Sequence, residues 1–148
     1  MTYRDGAHLI IATAWEANPK DAVALVTKFG QLQALQVAED SSIAEDALGA
    51  TFAEALANSL ESVPEHRQQF GAHEDNPDHM SLRVVMRQPH SEADIILHKD
   101  GRKHTFQYRQ HWDRDRGHVA KGDLSRSAEF TQITLGFVGE SIADGVDR

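Results

Sequence analysis

Apolar residues recur with a helical period over the first sixty positions and with a period of two over residues 80–112. Ala7, Ile10, Ile11, Ala14 and Trp15 fall at i, i+3, i+4, i+7 and i+8, one face of a helix. Leu9, Ile11, Thr13 and Trp15 also alternate, which leaves a strand open over 7–16. Asn18-Pro19 ends this element and starts the next, with Asn18 as cap and Pro19 at the first helical position, where its missing N–H costs nothing. The second helix carries Ala22, Leu25, Val26, Phe29 and Leu32 inward and is expected to run out near Glu39-Asp40-Ser41, with a bend at Gly30. Ser42-Ile43-Ala44-Glu45 has the spacing of a capping box and predicts a third helix. Leu48, Phe52, Leu56 and Leu60 form its i+4 row, and Val63-Pro64 closes it.

Residues 64–79 are polar and rich in turn formers, a loop with room for one short helical turn. Met80, Leu82, Val84 and Met86 then alternate with Ser81, Arg83, Val85 and Arg87 in a strand that Pro89 ends. Residues 92–99 and 102–110 are two further strands joined by Asp100-Gly101, a strong hairpin signal. The stretch 127–146 reads as a largely buried helix, with Thr131–Phe137 open to a strand instead. Helices, then strands, then a helix predict an α+β fold. The expected architecture is N-terminal helices (5–63) packed on an antiparallel three- or four-stranded β-meander (80–112), followed by a C-terminal helix, or strand plus helix (127–146). At 148 residues, a single domain is the natural expectation.

A two-residue turn fixes the hairpin register. Lys99 then faces Arg102, Leu97 faces His104, Ile95 faces Phe106 and Ala93 faces Tyr108, and the last three pairs share one face. On the other face His98 meets Lys103, Ile96 meets Thr105, Asp94 meets Gln107 and Glu92 meets Arg109. The aromatic rings therefore belong to the core side, and Lys103, Arg109 and His111 form a basic outer face that is a candidate binding surface. His104 and Tyr108, on the apolar side, are candidate pocket residues. The strand at 80–88 is a candidate sheet edge, suited to a sheet-extended dimer.

Charge sharpens this picture. The net charge of −8 divides unevenly: residues 1–79 hold 4 Lys/Arg against 13 Asp/Glu, while 83–126 hold 10 against 6 together with five of the nine histidines. The acidic half repels phosphate backbones, and the hairpin lacks exposed rings beside its cations, so the pattern argues against nucleic acid. His98 and His111 share a face but lie about 27 Å apart along the strand, too far to share an ion. The loop His73-Glu74-Asp75-Asn76-Pro77-Asp78-His79 gathers weak metal candidates in His73, Asp78 and His79, although Asx turns explain the same residues. Asp113-Arg-Asp115 lacks the later glutamate of a calcium loop, and Gly139-Glu-Ser141 lacks a downstream histidine for a nucleophile elbow.

There is no cysteine, which excludes thiol catalysis and a disulfide framework and fits a reducing compartment. Ala12-Thr13-Ala14 imitates a cleavage site, but too short an apolar run precedes it for secretion to be expected. No cofactor motif and no catalytic residue emerges. The reading that follows is a cytoplasmic, non-catalytic binding or regulatory protein acting through a protein partner or as a homo-oligomer, with no membrane role. The alternative is a small enzyme or a small-molecule or metal binder with a pocket between sheet and helices.

Overall fold

The helical period of the first residues is realised as α1 (Tyr3–Ala14). Its start is a capping box in which the Thr2 hydroxyl accepts from the Asp5 N–H and the Asp5 carboxylate accepts from the Thr2 N–H. The Thr2 backbone N–H, and after it the Thr2 hydroxyl, hold the Asp5 carboxyl below its usual pKa by stabilising its charged form. The computed structural model describes residues 2–15, 19–35, 48–88, 90–110 and 126–146. After α1 come α2 (Pro19–Gly30), β1 (Gln33–Leu35), α3 (Phe52–Glu65), α4 (Arg67–Gly71), β2 (Ser81–Gln88), β3 (Glu92–Lys99), β4 (Arg102–Arg109), β5 (Arg126–Thr131) and α5 (Gln132–Val146). The fold is α+β, as expected, with N-terminal helices, an antiparallel sheet and a C-terminal helix.

The sheet has five strands in the order β1-β4-β3-β2-β5, so the expected meander β2-β3-β4 is extended at both sides. The hairpin register is the one the turn dictates, from Lys99 opposite Arg102 to Ala93 opposite Tyr108. Asp100 and Gly101 both take positive φ, 55° and 71°, as the favoured two-residue turn requires. Leu82, Val84, Met86, Ile95, Leu97, Phe106 and Tyr108 consequently share one face and join α1, α3 and α5 in a single buried cluster. Full burial stabilises each large apolar side chain by about 1.5–3 kcal/mol relative to exposure.

Several boundaries differ from expectation, each for a physical reason. The second helix stops at Gly30, and β1 takes over at Gln33, paired with β4 through Ala34 opposite Tyr108. Residues 36–47, including the Ser42–Glu45 box, lie outside the described residues. Leu48 is not helical, and α3 begins at Phe52 with Thr51 as its cap. Thr51-Phe52-Ala53-Glu54 repeats the Ser/Thr-x-x-Glu spacing, and Glu54 reaches back to the Ala50 N–H. Pro64 lies within the last turn of α3, which ends one residue later. The 127–146 segment takes the strand-plus-helix form, but the strand is Arg126–Thr131, and the Thr131–Phe137 stretch left open to a strand is helical from Gln132. β5 lies along β2, from Arg83 opposite Thr131 to Gln88 opposite Arg126, so β2 is interior and not an edge. At the junction, the Gln132 side chain accepts from the Leu82 N–H at 3.1 Å and fastens the start of α5 to β2.

At Gly139, α5 packs directly against the α3 backbone. Pro64 has no N–H, so the Leu60 carbonyl lacks its i+4 donor, and a Cβ on Gly139 would collide with that oxygen and with the proline ring. Gly136, one turn earlier, has only Val63 at 3.7 Å from the corresponding position. Alanine should therefore act with opposite signs at the two sites. Gly136→Ala is expected to stabilise by up to about 1 kcal/mol through helix propensity. Gly139→Ala is expected to destabilise by about 1–3 kcal/mol through overpacking. Urea unfolding of the two variants checks this, and equal shifts would refute the close approach.

Candidate functional site

The hairpin sorts its own side chains. Tyr108 is fully buried; its hydroxyl donates to the Gly49 carbonyl at 3.0 Å and its ring lies 5.7 Å from that of Phe52. His104 is 7% exposed on the same face, and its Nδ1 has no hydrogen-bond partner among the described residues. Neither residue lines the cavities described below. Of the basic outer face, Lys103 is exposed, Arg109 is half-buried and His111 lies outside the described residues.

Arg109 belongs to a cluster at the centre of the outer sheet face. Asp94, only 7% exposed, accepts from Arg87 Nη1 at 2.7 Å on one oxygen and from Arg109 Nη1 at 2.9 Å on the other. Glu92 stands 3.9 Å from Arg87. Arg109 also reaches the carbonyl oxygens of Ala93 and Tyr108. One buried carboxylate thus ties β2 to β4 across β3. An alternating strand pattern does reveal that these residues share a face. It does not reveal that Asp94 bridges diagonally to both arginines, because that depends on the strand neighbour as well as on the hairpin.

The 73–79 loop is organised by its own turns. The Asn76 side chain accepts from the Asp78 N–H at 2.8 Å, the Asn76 carbonyl from the His79 N–H, and the His73 carbonyl from the Asn76 N–H. His79 Nδ1 donates to the Ala72 carbonyl at 2.9 Å, and His73 sits 3.3 Å from the Asp75 carboxylate with both side chains largely in solvent. Among the described residues, no group of three or more His, Cys, Asp or Glu is placed to hold a metal ion.

Two regions present a concave surface with distinctive chemistry. The 74–79 loop lies beside the hairpin turn, and a cavity of about 340 Å³ opens between Glu74, Asp75 and His79 on one side and His98, Lys99, Arg102 and Lys103 on the other. The structure brings together here two segments that sequence spacing singled out separately. A second groove, of about 210 Å³, runs between α5 and the α3–α4 corner. Val63, Pro64, Phe70 and Gly136 line it, Ile133 and Phe137 form its outer wall, and Arg67 and Glu140 face each other at its rim, 3.7 Å apart. Ile133 and Phe137 fall in the stretch whose spacing predicts a largely buried helix, yet they are 66% and 71% exposed. Among the described residues, no helix is long and apolar enough to cross a membrane. In comparisons with protein-family models, curated proteins and solved structures, nothing matches the chain.

Removing the central carboxylate strands two half-buried guanidinium groups. Asp94→Asn is expected to cost about 2–4 kcal/mol, near the range for breaking a buried pair but reduced by the partial exposure of the arginines. Urea unfolding reads the loss; a change within 0.5 kcal/mol would show that the cluster contributes little.

Proposed function

We propose that the protein is a non-catalytic binding or regulatory protein of the cytoplasm, working through a protein partner or self-association, with α5 as its contact surface. The observation that carries this reading is the pair Ile133 and Phe137. They stand one helical turn apart, both largely in water, beside an apolar groove. Large apolar side chains scattered singly over a surface are ordinary, whereas grouped ones beside a groove are characteristic of contact sites. An aromatic ring next to a pocket is also the usual form of an interface anchor. The rim offers one cation and one anion, Arg67 and Glu140, for orientation rather than for strength.

Phe137→Asp should leave stability within about 0.5 kcal/mol, since the ring is mostly solvated already. A photo-crosslinking residue at position 137 is expected to capture a defined protein product, a second copy included. The same residue at position 23 serves as control, because Val23 is equally exposed at 71% but stands apart from the groove. Equal crosslinking at the two positions would contradict the reading.

A further inference from the structure

We propose that the cavity between the hairpin turn and the 74–79 loop binds a small multivalent anion of the phosphate-ester class. This does not rest on the α5 surface, which uses other residues.

The first ground is the pairing at the turn. Lys99 stands directly opposite Arg102, and His98 directly opposite Lys103. Like charges in cross-strand positions destabilise a sheet, and here two successive pairs place cationic or protonatable groups face to face. Sequences that violate a local rule without visible compensation do so most often at functional sites. The second ground is that the charges stay uncompensated. Lys99, Arg102 and Lys103 form no ion pair among the described residues, although Glu74 and Asp75 border the same cavity. Asp75 and His73 stand side by side largely in solvent, with His73 Nδ1 accepting from the Asp75 N–H. Three permanent cations thus border one space from the two faces of the hairpin end, Lys99 and Arg102 from one and Lys103 from the other.

The third ground is the shape and chemistry of that space. A volume of about 340 Å³ suits a small molecule, near the lower end of the roughly 300–1,000 Å³ of ligand sites. A guanidinium fork and an ammonium group from one face of the hairpin end, with a second ammonium group from the other, are donor types that phosphate oxygens accept from. His79 has its Nδ1 committed to the Ala72 carbonyl, so its Nε2 is the nitrogen left to meet a ligand. Glu74, on the opposite rim, repels a bare polyanion and welcomes a hydroxyl or ammonium group. The ligand is therefore a phosphate ester that carries such a group, held by its phosphate at the hairpin and by its other end at the loop.

Calorimetric titration at low ionic strength, where surface charges are least screened, tests this with two probes: inorganic pyrophosphate and phosphoethanolamine. Both should bind saturably with one site per chain. The double variant Arg102→Ala/Lys103→Ala, altered only at exposed positions, should melt no lower than wild type, since it relieves the like-charge pairs, and should weaken both probes at least tenfold. Glu74→Gln should strengthen pyrophosphate binding and weaken phosphoethanolamine, a crossing that simple charge screening does not produce. Equal affinities in wild type and the double variant, or heats that added chloride reproduces, would overturn the proposal.

Discussion

The two-residue turn at Asp100-Gly101 fixes which face of the central hairpin meets the helices, and the rest of the fold is built on that choice. Side chains alternate along a strand, so a slip of one residue would send Phe106 and Tyr108 to the open face and bring Lys103 into the core. With the observed register, Tyr108 lies opposite Ala93 on one side and Ala34 on the other. Its hydroxyl then reaches Gly49 and its ring reaches Phe52. One tyrosine thereby links the hairpin to β1 and to the start of α3. The segment before α3 is joined to β1 by backbone bonds as well, from Ala34 to Ala50 and from Phe52 to Leu32.

The same register builds the opposite face. Asp94 lands between Arg87 and Arg109, where low exposure strengthens each charge-assisted bond and makes an unmatched charge costly. At the far side of the helix layer the limiting contact is of a different kind. Pro64 frees a carbonyl and Gly139 gives it room, which lets α5 settle on α3 with Leu135 and Ile142 buried. Settling in that way turns Ile133 and Phe137 outward, so the exposed apolar face of α5 is a consequence of how its buried face is packed.

The hairpin was legible because its signals are local: a turn dipeptide, alternation of period two, and charges that alternate with rings. The α1 helix and the Phe52-Leu56-Leu60 row were legible for the same reason. What escaped depends on distant partners. β1 is three residues long and exists because β4, some seventy positions later, offers it an edge; alone, Gln33-Ala34-Leu35 reads as the tail of α2. The third helix has two Ser/Thr-x-x-Glu spacings before it, and only tertiary contacts at Gly49 and Thr51 show which of them caps α3. Residues 126–146 satisfy strand and helix patterns together because the chain uses both, changing at Thr131. For the candidate sites, composition exposed the basic hairpin and the acidic loop but not their meeting. Ile133 and Phe137 fit a buried helical face on spacing alone, and their exposure follows from three-dimensional packing.

The anion cavity lies at the end of the hairpin, and the hairpin's inner face shares one buried cluster with Leu135 and Ile142 of α5, so the register is the claim to test most directly. In an antiparallel ladder, alternate opposed pairs bring their α-carbons to about 4.5 Å, close enough for strong Hα–Hα nuclear Overhauser effects. With Lys99 and Arg102 as the hydrogen-bonded pair that closes the turn, the account predicts such effects between His98 and Lys103, Ile96 and Thr105, and Asp94 and Gln107. Effects displaced by one residue, from Ile96 to His104 or to Phe106, would contradict it.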